Sequence, residues 1–334
     1  MRSVGILSTG SYTPERVLTN FDLEKMVETS DEWIVTRTGI RERRICSPEQ
    51  ASSDLAYEAA KKALAKANVS AEELDMIIVA TVTPDMMFPS TACLLQEKLG
   101  AKKASALDVS AACTGFLYGI VTGSQFIANG MYRYVLVVGV ETLSKITNYQ
   151  DRNTCVLFGD GAGAALLGPA QEGFGFQAFE LGADGSGGPL LCQPAGGSRI
   201  PASAESVGQN LHYISMAGSE VFKFAVRVMN SATEAVLEKA GVAKDQIDLL
   251  VPHQANKRII DAAVQRFGLS EDKVAINLDR YGNMSSASIP VALDEAVQEG
   301  RVKEGDNVIL VGFGGGLTWG ATLCKWSTKE ASNG

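Results

Sequence analysis

The feature that most constrains this chain is that it repeats itself. Residues 59–79, AAKKALAKANVSAEELDMIIV, and residues 232–252, ATEAVLEKAGVAKDQIDLLVP, align without a gap at an offset of 173, with Ala59/Ala232, Lys66/Lys239, Ala67/Ala240, Val69/Val242 and Asp75/Asp248 identical. Both segments read as helix, turn and strand: apolar residues at helical spacing give way to a continuous apolar run. The same offset lays VLVVG (Val135 to Gly139) on VILVG (Val308 to Gly312). A short apolar strand matches easily by chance, but one offset recurring in two separate places does not, and it points to a duplicated α/β unit.

The two halves run over residues 1–170 and 171–334. Between them lie GPAQEGFGF and the Gly/Pro/Ser-rich LGADGSGGPLLCQPAGGSRIPASAESVGQN, which read as connector and surface excursion. In each half helices alternate with strands that are apolar throughout, the pattern of strands buried on both faces in a layered α/β architecture. In such a fold the loops at strand ends carry the function.

Those loops have to supply the chemistry without obvious help from elsewhere. The six cysteines (46, 93, 113, 155, 192 and 324) are scattered with no CxxC pair, so neither a disulfide framework nor a metal site is expected. No apolar run is long enough for a bilayer, and the opening MRSVGILSTGSYTPERVLTN has no signal-peptide layout, so a soluble cytoplasmic protein is expected. A net charge of −8 argues against nucleic acid as the main partner, while leaving room for a local basic patch.

Three loops stand out, each following an apolar strand. DVSAACTGF places Cys113 where the strand ASALDV turns into a helix with apolar spacing from Gly115 onward. At a helix start the unpaired N–H groups and the positive end of the dipole favour a thiolate, so this thiol is expected to ionise readily; the alternative is a small buried hydrophobe filling space between Ala112 and Thr114. LVPHQAN places His253 directly after a strand, with a helix opening near Ala255, and VAINLDRYGNMSSASIP places Asn283 in a turn whose serines can cap the next helix. The Cys113 and Asn283 loops are roughly equivalent under the repeat, which predicts that they meet at related corners of one interface. The glycine-rich VILVGFGGGLTWGATL lets backbone approach a ligand closely. Taken singly, His253 could be a core histidine, Asn283 a turn residue and Gly314 to Gly316 a tight hairpin. Together, a Cys, a His, an Asn and a glycine loop suit nucleophilic attack on a carbonyl with neutral donors for the oxyanion. FGDGAGAALLG looks like a phosphate loop, but no lysine or amphipathic helix follows, and it reads instead as a turn between two strands.

With these loops in place the chain resembles the β-ketoacyl-acyl-carrier-protein synthase III enzymes of the thiolase-like fold. The resemblance spans essentially the full length through SDEWIVTRTGIRERR, DVSAACTGF, FGDGAGAALLG, LVPHQAN, RYGNMSSASIP and GFGGGLTWG, in that order. It implies an α/β fold of two duplicated halves in a layered αβαβα arrangement. It also implies that Cys113 accepts the acyl group with His253 and Asn283 as partners, and that an oxyanion is held by the Cys113 N–H and the loop around Gly315. The implied reaction takes an acyl-CoA starter and a malonyl thioester on acyl carrier protein, loses carbon dioxide, and needs no metal or redox cofactor. The elongating relatives use a second histidine, but the only other one here, His212, lies in the connector.

By the same resemblance Trp33 and Arg152 sandwich the adenine of CoA, Arg37 lies near its phosphates and Asn256 near the pantetheine arm. Lys257, Arg258 and Arg266, on the helix after His253, would dock the acidic carrier protein, with a merely solvated helix face as the alternative. Phe88 corresponds to the position that crosses a homodimer to close the partner's acyl pocket. One departure is Met284, where the family more often has Thr. Other expectations on the same scaffold are a Cys-His-Asn acyltransferase or thioester hydrolase of secondary metabolism, and a non-catalytic carrier-protein-binding partner, which would be expected to have lost Cys113.

Overall fold

The computed structural model describes residues 2–331. The first half supplies β1 (Val4–Tyr12), a small hairpin of β2 (Val17–Thr19) and β3 (Glu42–Arg44), then β4 (Met76–Ala80), β5 (Ser105–Val109), β6 (Val135–Thr142) and β7 (Asp160–Pro169). The second supplies β8 (Gly175–Ala183), the short β9 (Leu191–Cys192) and β10 (Ser215–Met216), then β11 (Leu249–Pro252), β12 (Asn307–Gly314) and β13 (Thr318–Lys325).

The two main sheets are the same sheet built twice. One runs β1-β7-β6-β4-β5 and the other β8-β13-β12-β11. In each, the second strand is antiparallel to both neighbours and the third and fourth are parallel. The place of β5 is marked in the second sheet by a single parallel bridge from Val274 to Leu250. Equivalent aspartates lock equivalent strand starts: Asp75 accepts the Tyr134 N–H at 3.1 Å, and Asp248 accepts the Asn307 N–H at 2.9 Å.

Strand alternation divides the apolar residues into layers. Met76 and Ile78 of β4 face a central layer, as do Leu249 and Val251 of β11 and Val308 and Leu310 of β12. That layer holds the helices Gly115–Ala128 and Ser288–Gln298, which carry Phe116, Leu117, Ile289 and Leu293 into it. Ile77 and Val79 turn instead to the alanine-rich helix Ser52–Ala67, and Leu250, Ile309 and Val311 turn to the helix Gly218–Ala240. The result is the layered αβαβα arrangement, with the two central helices starting next to one another.

Two expectations need correction. FGDGAGAALLG is not a turn: from Asp160 onward it is the buried strand β7, paired on both sides. Gly159, Gly161 and Gly163 leave room for the neighbouring half, a Cβ at Gly163 falling 2.7 Å from Pro290, whereas Gly168 leaves room for Leu7 of its own sheet. The connector is not only a surface excursion either, because Leu191, Cys192, Gln193 and Ile214 fold back to wall the space around Cys113.

Candidate active site

Cys113 lies on a short 3-10 turn, Ala112–Thr114, between the end of β5 and the helix Gly115–Ala128. The turn begins with Ala112 at φ 45°, and the equivalent turn of the other half, Ser285–Ala287, begins with Ser285 at φ 45°. Glycine lets the last loop reach the cysteine: a Cβ on Gly314 would stand 2.7 Å from the Cys113 nitrogen. Thr318 ties the two together, sharing a hydrogen bond with the Thr114 hydroxyl at 2.8 Å and donating to the Gly315 carbonyl at 3.1 Å.

His253 follows β11 and is held by its backbone N–H donating to the Val311 carbonyl at 2.8 Å. The ring is 1% exposed, stands edge-on to Phe313 at 5.4 Å, and neither nitrogen has a partner. Burial holds its pKa down at about 3, so the ring is neutral, with one N–H to donate and one lone pair to accept. Asn283 is fixed by its backbone N–H to the Leu157 carbonyl at 2.8 Å and by its own carbonyl accepting from Gly159 at 3.0 Å. Its Oδ1 accepts the Ser285 N–H at 2.8 Å, which leaves the amide NH₂ as the group still free to donate.

The Cys113 thiol departs from the expectation of ready ionisation. Burial pushes it up to about 12, because desolvation of a thiolate outweighs the donors around it. Near neutral pH the group is therefore a thiol.

Cys113, His253, Asn283 and Gly314 line one narrow cavity of about 100 Å³, otherwise walled by apolar groups such as Phe158, Val221, Ile259 and Phe313. A second cavity of about 120 Å³ shares Cys113, Phe158 and Leu191 with it and is lined by Val82, Leu143, Ile146, Cys192, Ile214, Ser285 and Gly315. A third, an open cleft of about 920 Å³, shares Leu157, Met216, Phe222 and Asn256 and is lined by Trp33, Arg37, Arg258 and Lys223. The open cleft is the largest of the three, and Cys113, His253 and Asn283 line the narrow cavity that adjoins it.

The remaining sequence-derived residues divide by place. Arg152 stacks on Trp33 at 5.0 Å from the ring centre, with Arg37 at 5.6 Å, so the gap for a planar guest is closed by the arginine itself. Asn256 caps the helix Lys257–Phe267 with its Oδ1 and donates one amide N–H to the Arg37 carbonyl at 2.9 Å, which leaves the second N–H to donate. Arg258 lines the cleft, whereas Lys257 pairs with Asp261 and Arg266 with Glu234 at 3.1 Å. Phe88 is 85% exposed and lines none of the three cavities.

Comparison with known proteins decides what this arrangement belongs to. Residues 107–185 match the family model of 3-oxoacyl-[acyl-carrier-protein] synthase III, and residues 237–326 match that of its C-terminal part. The beta-ketoacyl-[acyl-carrier-protein] synthase III of Desulfitobacterium hafniense is 62% identical over 329 residues, covering 98% of this chain and 99% of that one.

The chain belongs to the 3-oxoacyl-[acyl-carrier-protein] synthase III family.

The synthase III of Caldanaerobacter subterraneus is 63% identical over 325 residues, covering 97% and 98% of the two chains. The crystal structure of the Aquifex aeolicus synthase III superimposes with a TM-score of 0.90 at 49% identity, over 97% of this chain and 100% of that one. As a family member this chain is an acyltransferase on the thiolase-like fold.

Met284, the departure from the family pattern, is fully buried with Ala287 and Val291. It occupies space that Gly161 leaves open, since a Cβ on Gly161 would lie 2.5 Å from its sulfur. Sequence reading missed the walls of the second cavity, since Val82, Leu143 and Ile146 carry no signal beyond being apolar. It also missed Glu141, a fully buried carboxylate that accepts from the Thr83 hydroxyl at 2.6 Å and the Val82 N–H at 3.1 Å. A signal was present there: a charge ending the otherwise apolar strand VLVVGVET.

Proposed function

We propose that this enzyme joins a short acyl-CoA starter to malonyl-acyl-carrier-protein by decarboxylative Claisen condensation, through an acyl-Cys113 intermediate, and so initiates fatty acid synthesis. The observation that carries the reading is that Cys113, His253, Asn283 and Gly314 line one desolvated cavity leading from an open cleft.

The Cys113 sulfur attacks the thioester carbonyl, the carbon–sulfur bond to CoA breaks, and the thiol proton ends on the departing CoA sulfur. The transient oxyanion would be met by the Cys113 N–H and by the loop at Gly315, which Thr318 holds against the cysteine turn. The malonyl thioester then loses carbon dioxide, and negative charge gathers on its carbonyl oxygen. A neutral His253 and the free NH₂ of Asn283 are suited to donate to that oxygen, and in a water-free site such donors act mainly on the transition state. The enolate carbon attacks the waiting acyl carbon, the carbon–sulfur bond to Cys113 breaks, and the departing sulfur takes up one proton from solvent to restore the thiol. The chemistry calls for no metal or redox cofactor; acyl-CoA and malonyl-acyl-carrier-protein are both substrates.

Trp33, Arg37, Arg152 and Asn256 at the cleft suit the nucleotide and pantetheine of CoA, with Arg152 swinging off Trp33 to admit the adenine. Arg258 at the same cleft, with Lys257 and Arg266 on its helix, would greet the acidic carrier protein. A homodimer is supported by β5, an edge strand paired only with β4, and by the exposed Met86, Met87 and Phe88. Among the described residues no helix is long and apolar enough to cross a membrane, in keeping with work in the cytoplasm.

Intact-protein mass spectrometry tests the whole reading. Incubation with a panel of straight and branched short acyl-CoAs should give an adduct on Cys113, which malonyl-acyl-carrier-protein should discharge as a β-ketoacyl carrier protein. A Cys113 adduct that is released only as free acid would mark a hydrolase instead.

A further inference from the structure

The Ser285 hydroxyl is 3% exposed, lines the second cavity together with Cys113, and is one of the few buried polar atoms without a hydrogen-bond partner. An unpartnered buried hydroxyl is costly and is retained where something else uses it. The backbone does not require a polar side chain here, because its counterpart in the other half holds the same φ 45° with an alanine, Ala112. The main chain of Ser285 is already engaged, its N–H fixing the Asn283 amide at 2.8 Å.

We propose that Ser285 is a further catalytic residue, its hydroxyl donating a hydrogen bond to the Cys113 sulfur as negative charge gathers there. The step rests on Cys113 being the nucleophile. During acylation the S–H bond of Cys113 breaks, a carbon–sulfur bond forms to the acyl carbon, and the thiol proton ends on the CoA sulfur. Ser285 gains and loses no proton; it replaces the water that a buried thiolate lacks. Three titratable groups face the thiol region. Neutral His253 comes from the end of β11, the Cys192 thiol lines the second cavity, and Glu141 comes from β6, where it accepts the N–H of Val82, another wall of that cavity. A donor at Ser285 favours the thiolate, whereas a negative charge at Glu141 opposes it. Ser285 and Glu141 therefore act on Cys113 in opposite directions.

The test is the rate at which iodoacetamide alkylates Cys113, followed by peptide mass mapping that separates it from the exposed Cys93 and the other free thiols, across about pH 6 to 10, with acylation by acyl-CoA measured alongside. Ser285→Ala should fold normally, since Ala112 already occupies this conformation. It should slow alkylation about threefold, a tenfold loss of thiolate being partly offset by the greater nucleophilicity of a more basic sulfur. Acylation should slow with it. Glu141→Gln should shift the alkylation profile to lower pH. Wild-type alkylation in Ser285→Ala would overturn the proposal, as would the same slowing in both variants, which would mark disturbed packing. Because iodoacetamide needs no acyl-CoA, failure of the condensation reading would show separately, as a wild-type enzyme that is alkylated but never acylated.

Discussion

Ala112 and Ser285 are 173 residues apart and hold the same left-handed backbone, φ 45° in each. Such a conformation costs a residue with a side chain about 1–3 kcal/mol and persists only where the surroundings over-determine it. Here each opens the turn at the start of a central helix, and each turn packs against the other half: a Cβ on Gly315 would stand 3.6 Å from the Ala112 methyl, and one on Gly139 would collide with the carbonyl of Ser286, the residue after Ser285. Duplication thus produced two strained corners facing one another. One presents Cys113 and the other presents Asn283.

Asn283→Asp keeps an oxygen to accept the Ser285 N–H but removes the NH₂ donor and adds charge. Condensation should fall about 10²–10³-fold, as for loss of one oxyanion donor, while Cys113 acylation persists. Single-turnover acylation measured beside malonyl decarboxylation separates the two steps; loss of acylation instead would give Asn283 a different part.

Gly314→Ala would drive a methyl group to 2.7 Å from the Cys113 nitrogen. The turn or the loop has to move, and the acyl oxygen loses its donors. Acylation should drop at least about 10²-fold, with about 1–3 kcal/mol of stability lost to overpacking against the backbone. Wild-type acylation in this variant would place the oxyanion elsewhere.

Burial lowers the His253 pKa from 6.5 to about 3, so the unfolded chain binds a proton that the native chain refuses. Stability contributed by keeping this ring neutral is present above pH 6.5 and is lost as pH falls through that window toward 3, at up to about 1.4 kcal/mol per pH unit. Denaturant titrations of wild type and His253→Gln between about pH 6.5 and 4 should show a shallower decline in the variant. Parallel curves would mean that the ring is solvated after all.

Gly161→Ala places a methyl group against the Met284 sulfur and should cost about 1–3 kcal/mol by overpacking. Met284→Ala leaves a void and should cost about 2–5 kcal/mol. Combined, the two should cost less than the sum of the single changes, because each relieves the other. Additive costs in a double-mutant cycle would show that the two side chains do not share one space.

Sequence alone determined the duplicated architecture, because a repeat at one offset and strands apolar on both faces report burial directly, residue by residue. It also singled out Cys113 and His253 in loops after buried strands and Asn283 in the turn before a central helix, since these are local patterns, although the structure puts a short helix, Leu278–Tyr281, and not a strand before Asn283. What it could not reach depends on distance through space. That Gly161 makes room for Met284, that the connector returns Leu191 and Ile214 to wall the cysteine, and that Glu141 takes the Val82 N–H at the edge of the second cavity are contacts between segments far apart in the chain. The thiol's ionisation is the plainest case. The helix start favours a thiolate and is visible in the sequence, but burial opposes it and wins, and burial is decided by everything the fold packs around one sulfur.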